Sequence, residues 1–433
     1  MQKNKKTTAL VWFRTDLRVQ DQHSLTKAVQ QHERVVAVYH IPKKWLEFTR
    51  WGFKKMERFR ANFLLQSLEQ LKKDLEQLNI SLIVTTGNWT ESITRLQKKY
   101  SITDIYAQYE WTQEEVDEQN TIPNNVKTHL HYDQFLYHPE NIPMAVNQIP
   151  EVFTVFRKTC EKQVVVQPPI PIPEAMPTEN LIADNPDIPT LNDLGYEEIH
   201  LDSRTAIPFV GGEKAAWTRI DEYFWDTKQL SYYKKTRNGL LGKKYSSKLS
   251  LWLAYGSISP RSIYAEIKKY EREIGKNEST YWLIFELIWR DYFKFISLKH
   301  GNSIFRLGGI LNKDYTWDTN PRKIEKWMTG NTPEPFVNAN MLELANTGFM
   351  SNRGRQNVAS FFAKEWKLDW RIGAAYFESM LIDYDVHSNY GNWMYNAGVG
   401  NDPRDRKFNI AWQAERYDAS GKYQNTWLQK TLF

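Results

Sequence analysis

"TYWLIFELIWRDYFKFIS", residues 280–297, sets Tyr281, Phe285, Ile288, Tyr292 and Phe295 on one helical stripe and Trp282, Trp289, Phe293 and Ile296 on the adjoining one. A helix apolar over most of its girth belongs in a deeply buried position. Two charges, Glu286 and Arg290, stand four residues apart within it. On an exposed helix such a pair is routine and worth about 0.3 to 0.5 kcal/mol. Here both groups would lose their hydration unless they face a cavity with polar contents. The stretch therefore predicts a helical core around a polar hollow.

Outward toward the amino terminus, the pattern stays helical back to about residue 213. The tract "QPPIPIPEAMPTENLIADNPDIP", residues 167–189, sustains neither a helix nor an interior strand, because proline lacks the amide donor and restricts its neighbour. It reads as a surface connector or linker. Before it, "ALVWF", "RVVAVYHI", "ISLIVTTG", "TDIYAQY" and "VKTHLHY" alternate with helical segments, which predicts a parallel sheet. Leu64, Leu68, Leu71, Leu75 and Leu78 recur at helical steps and should cover that sheet. No G-x-G-x-x-G follows the first strand, so a dinucleotide is expected elsewhere. The expected fold class is α/β plus all-α: a Rossmann-like parallel-sheet domain over 1–135, a connector over 136–212 and a helical domain over 213–433.

A chain of 433 residues suits two domains. With 57 Lys and Arg against 51 Asp and Glu, its charge of +6 is compatible with a polyanionic partner and equally with an ordinary soluble protein. The 17 Trp, 23 Tyr and 21 Phe could stack on bases or a flavin, or simply fill a helical core. One cysteine, Cys160, excludes an internal disulfide framework and a cysteine-ligated iron–sulfur cluster, and no metal site is expected. The start "MQKNKKTTALVWF" lacks a signal-peptide pattern, and no run reaches the roughly 18 apolar residues of a membrane span. A cytoplasmic, non-membrane protein is expected.

Downstream, Asn352, Arg355 and Gln356 of "MSNRGRQNVASFF" share a helical face, where arginine can bind phosphate or simply cap and pair. In "LIDYDVHSNYGNW", residues 381–393, Asp383 and Asp385 stand where a helix gives way to a turn, an arrangement that alone suits backbone or solvent contacts. Within "YYKKTRNGLLGKKYSSKLS", the run Ser246, Ser247, Lys248, Leu249 and Ser250 suits a pyrophosphate, or a helix cap.

Taken in order, "ELIWRDYF", "FMSNRGRQNVASFF", "LIDYDVHSNYGNW" and "AGVGNDPRDRKFN" resemble the photolyase and cryptochrome family, in its DASH branch, over essentially the whole chain. The resemblance implies an antenna-binding α/β domain, a long connector and a helical domain holding bent FAD. It implies flavin contacts from Tyr233, Ser246, Ser247, Lys248, Leu249, Ser250, Arg290, Asn352 and Arg355, and from Asp383, Asp385 and Asn389. Asp383 would pair with Arg355, Asp385 would face the ring edge, and Asn389 would sit near the ring nitrogen protonated on reduction. Trp393, Trp370 and Trp317 would relay an electron from the surface to the flavin. Glu286, Trp289 and Asn352 would meet a cyclobutane pyrimidine dimer.

Gln356 and Tyr395 stand where duplex-acting photolyases carry Met and Trp, which implies repair favouring single-stranded DNA, with duplex bound more weakly. Arg353, Arg404, Arg406 and Lys407 are the phosphate-contact candidates. "YAQYEWTQEE" resembles the segment binding 5,10-methenyltetrahydrofolate, with Glu110 as the pterin contact. Gln22, Pro333, Glu334 and Asn338 depart from the commoner DASH pattern. The expected activity is light-driven repair by a monomer; the alternatives are blue-light signalling and a DNA-binding flavoprotein without photochemistry. The ending "QNTWLQKTLF" offers no long signalling tail, and the three tryptophans disfavour the last alternative.

Overall fold

Strand β1 (Thr8–Phe13) is buried along its whole length, and its residues alternate between two cores. Ala9, Val11 and Phe13 pack with Leu64, Leu68, Leu71 and Leu75, while Leu10 and Trp12 pack with Trp89, Ile93 and Leu96. This is the two-residue period of a strand covered on both faces, as a parallel sheet requires. A computed structural model describes residues 7–183, 185–402 and 404–429. β1 pairs in parallel with β2 (Arg34–Pro42) and β4 (Ile102–Gln108), and β3 (Leu82–Gly87) and β5 (Lys127–His131) complete the order 3-2-1-4-5. Helix α1 (His23–Gln31) follows β1, the leucine-faced α2 (Arg58–Gln77) follows β2, and α3 (Trp89–Tyr100) follows β3. Gln22 caps α1 by accepting from the Leu25 amide and donates to Asp16, so this departure from the pattern is absorbed locally.

Among its described residues the proline-rich tract is anchored to the sheet domain. Asn180 bonds both the N–H and the C=O of Val35 at 2.9 Å, and the Met176 amide donates to Leu78. After α4 (Gln113–Gln119) and α5 (Phe153–Gln163), α6 (Glu213–Ile220) opens the helical half. Buried polar contacts hold the halves together. Asp21 accepts two bonds from Arg261, at 2.7 and 3.0 Å, and Asp291 accepts the amides of Leu136 and Tyr137. At Gly256 the backbone has φ +63°, and a Cβ would overlap the Thr15 carbonyl, so only glycine lets the halves close here.

Helix α7 (Glu278–His300) carries the opening stretch, capped by Asn277 on the amides of Ser279 and Thr280. The expectation of deep burial holds for Leu283, Ile284, Leu287, Ile288 and the segment 291–297. It fails along one stripe, where Tyr281, Trp282, Phe285, Glu286, Trp289 and Arg290 are half-buried; of these, Glu286 and Arg290 line the polar hollow. Around it lie α8 (Pro335–Thr347), α9 (Asn352–Ser360), α10 (Trp370–Met380) and α11 (Val386–Ala397). Asn338 on α8 closes its own turn with Thr332.

On α8, Glu343 is buried and accepts a 2.6 Å bond from the Tyr423 hydroxyl. Burial pushes its carboxyl up to about 8 from 4.5. The fold thus retains a proton that the unfolded chain releases, and Glu343's contribution to stability falls as pH rises from about 4.5 to about 8. In Glu343→Gln this loss should vanish, so the stability difference between wild type and variant in urea melts should shift against the wild type across that interval. A pH-independent difference would contradict the assignment.

Candidate functional site

Two adjoining cavities of about 250 and 80 Å³ lie among α7, α9, α11 and the loop before the short helix Ser250–Ala254. They share Asn352, Arg355, Asp383, Asp385 and Ser388 as walls. The larger lobe is also lined by Tyr233, the 246–250 run, Glu286 and Arg290, and the smaller by Gln356, Asn389 and Trp393. Every residue expected at the flavin thus meets on one hollow, although the chain separating them exceeds 150 positions.

Arg355 anchors the centre. One guanidinium nitrogen donates to both Asp383 oxygens at 2.8 and 2.9 Å, while Nε donates to the Met350 carbonyl. Asp385 caps α11 through the Ser388 amide and accepts from Lys294 Nζ at 2.7 Å; that ammonium keeps its carboxyl far below the ordinary range despite burial. Asn389 donates its amide to the Ala374 carbonyl at 3.0 Å, which directs the side-chain oxygen to act as an acceptor at the cavity. Arg290 donates to the carbonyls of Gln134 and Leu253. Lys248 lines the larger lobe, but its ammonium is turned into the carbonyls of Gly242 and Lys243. Burial drives its pKa well down. The pyrophosphate-sized end of the lobe therefore relies on backbone N–H groups and hydroxyls, and Arg219 clamps that loop through the carbonyls of Lys243, Ser246 and Ser247.

These walls fit FAD. The buried Tyr245 hydroxyl has no hydrogen-bond partner among the described residues and lies in the cavity lining, and apolar Leu253, Leu283, Leu287 and Met350 flank the charged pair. A polar group of this kind left bare in a dry wall signals a missing bonding partner.

Glu286 is half-buried and accepts a hydrogen bond from Arg237. Burial raises its carboxyl pKa, against the lowering by Arg237. Sequence reasoning missed Arg237, Lys294 and Ser388: Arg237 and Ser388 stand in polar runs with nothing local to mark them, whereas Lys294, set between Phe293 and Phe295 on the apolar helix, could have been found as a lone ammonium needing a buried partner. Trp289 does not line either lobe; its ring stacks on Phe153 of α5, with centroids 3.6 Å apart. Gln356 accepts from Arg353, which also contacts Asn238 and lies over the Tyr417 ring. Tyr395 is half-buried, and Arg404, Arg406 and Lys407 are exposed. Arg406 pairs with Asp402 and Lys407 with Glu365.

Trp393 and Trp370 are buried and Trp317 is half-buried. The Trp393 ring lies on the α10 backbone at Gly373, where a Cβ would overlap it, one turn from Trp370. Asp318, next to Trp317, exchanges backbone bonds with Lys367 and Asp369, which places Trp317 against the start of α10.

A third cavity, of about 390 Å³, lies between the halves at the carboxyl ends of β1 and β4, where the strand order reverses. Open parallel sheets bind ligands at such a switch point. Glu110 lines it, accepting from Gln108 at 2.6 Å and Thr15 at 3.1 Å, with its carboxyl pKa raised by burial.

Residues 282–431 match the family described as FAD binding domain of DNA photolyase, and residues 9–175 that described as DNA photolyase. A Cryptochrome DASH of Gloeobacter violaceus is 46% identical over 427 residues, covering 97% of this chain and 85% of the relative. The solved Synechocystis cryptochrome superposes with a TM-score of 0.93 at 43% identity, over 99% of this chain and 89% of that one. A class III photolyase from Agrobacterium tumefaciens, 24% identical, shares the fold with a TM-score of 0.81, over 99% and 87%.

Proposed function

The chain belongs to the photolyase and cryptochrome family, in its DASH branch, and on that premise we propose that it is a light-driven lyase splitting cyclobutane pyrimidine dimers in single-stranded DNA. The observation that carries the reading is a half-buried acid of raised pKa, Glu286, facing the same hollow as the Arg355–Asp383 pair. FAD held by these walls would supply light-driven one-electron chemistry for opening the dimer ring.

The protein's own part is positional and electrostatic. Arg355 and Asp383 orient the cofactor, and Asn389 offers an uncharged acceptor to the ring edge, which accommodates a reduced flavin anion better than another carboxylate. Glu286, which burial biases toward its neutral form, can donate a hydrogen bond to a dimer carbonyl as negative charge develops there. Asn352 stands at the junction of the two lobes. Trp289, with one face held by Phe153, contributes at the rim. Trp317, Trp370 and Trp393 carry electrons inward, one short hop at a time.

Flipping a dimer from duplex DNA costs a few kcal/mol, which a single strand largely avoids. Gln356, tied to Arg353 by a 2.9 Å bond, and half-buried Tyr395 replace apolar surface that would reward flipping. Arg353, Arg404, Arg406 and Lys407 are assigned to phosphate contacts. The third cavity is assigned to 5,10-methenyltetrahydrofolate as antenna, with Glu110 as its pterin contact.

Illuminated protein with fully reduced FAD should restore dimer-containing single-stranded oligonucleotides faster than the same sequence in duplex. No turnover on single strands would reject the lyase in favour of light sensing. In Trp393→Phe, photoreduction should be lost while repair by chemically reduced protein persists; photoreduction at the wild-type rate would remove Trp393 from the relay.

A further inference from the structure

We propose that Lys294 is a positioning residue that couples the two ligand sites, so that occupation of the interdomain cavity by a folate raises the reduction potential of the flavin. The inference rests on the folate reading above and concerns the wall between the sites. Asp385 lines the interdomain cavity and both flavin lobes, and Tyr384 lines the first and the smaller lobe. At Asp385 the partition is therefore one residue thick. Lys294, whose side chain is 3% exposed, reaches it from the interdomain side, lining that cavity while donating to Asp385 at 2.7 Å. The same aspartate caps α11, the helix that presents Asn389 to the ring edge.

The sign of the coupling follows from the charges at the wall. Burial draws the Lys294 pKa down against the attraction of Asp385, with which Lys294 pairs at 2.7 Å; the Arg290 guanidinium, which stays charged, donates to the carbonyls of Gln134 and Leu253; and Glu110 and His387 are biased by burial toward their neutral forms. The balance at the partition is one positive charge. A folate seated against Lys294 displaces water from that side, lowers the local dielectric and strengthens the field of this charge at the flavin. Two-electron reduction with uptake of one proton leaves the flavin anionic, and a stronger positive field favours that form. By reciprocity the reduced protein must bind folate more tightly by the same factor.

The test is the two-electron midpoint potential of the FAD-loaded protein, titrated with a chemical reductant and indicator dyes, with and without saturating 5,10-methenyltetrahydrofolate. Folate affinity is measured on both oxidation states. The expected result is about tenfold tighter folate binding to the reduced protein, equivalent to a rise of about 30 mV. Lys294→Gln should bind folate but lose the shift, and Lys294→Arg should retain it. A folate that binds without moving the potential overturns the coupling alone. Absence of folate binding overturns the antenna assignment and the coupling together. A full shift persisting in Lys294→Gln overturns the role of Lys294; should that variant not fold, the wild-type potentials decide.

Discussion

Alanine at position 383 is expected to leave the purified chain largely without flavin. The Asp383 side chain is 2% exposed and accepts two bonds from one Arg355 nitrogen. Removing one member of a buried ion pair strands the other charge, at a cost of about 3 to 5 kcal/mol. The Arg355 side chain is 24% exposed, so solvent relieves part of this and the lower figure applies. About 3 kcal/mol corresponds to a loss of roughly a hundredfold in FAD affinity. Asp383→Asn keeps an acceptor oxygen and should lose less. The check is the FAD-to-protein ratio after gel filtration, followed by titration with FAD. Wild-type affinity in the alanine variant would show that the pair supports the fold without orienting the cofactor.

Repair, rather than loading, should suffer in Glu286→Ala. Burial favours the neutral carboxyl that can donate to a dimer carbonyl, and Arg237 opposes it without prevailing. Losing one such preorganised donor typically costs about a hundredfold or more in rate. FAD affinity should remain near the wild-type value, because the cofactor is held mainly by the Arg355–Asp383 pair and the 246–250 loop. Glu286→Gln, still a donor, should fall between. Since the donor is the protonated acid, the wild-type rate should decline as pH rises through its raised pKa, and the Gln variant should lose that limb. Equal losses of repair and FAD binding in the alanine variant would assign Glu286 to the cofactor.

Elements whose signal is local were legible before any coordinates. The strand runs, the leucine face of α2 and the α7 helix appear where periodicity placed them, because a strand or helix face is set by residues a few positions apart. The flavin-lining residues were legible differently, through motifs that name a chemistry without its geometry. Three features were not. The tract 167–189 offered either a free linker or an ordered connector, and Asn180 binding Val35 decides for the connector. Lys248 reads as a phosphate ligand until its ammonium is seen on the carbonyls of Gly242 and Lys243. Trp289 reads as an open platform until Phe153, distant in sequence, is seen on its face.

By itself the amino-acid order determined the two architectures and their succession, since hydrophobic periods act within short segments, and its long motifs named the side chains that line the two lobes. The three-dimensional arrangement alone decided which charges meet. Arg237 with Glu286, Lys294 with Asp385 and Arg355 with Asp383 are pairings of groups 49, 91 and 28 positions apart. Such a contact forms where packing brings two polar groups within reach and shields them in part from water, and no local pattern encodes that approach.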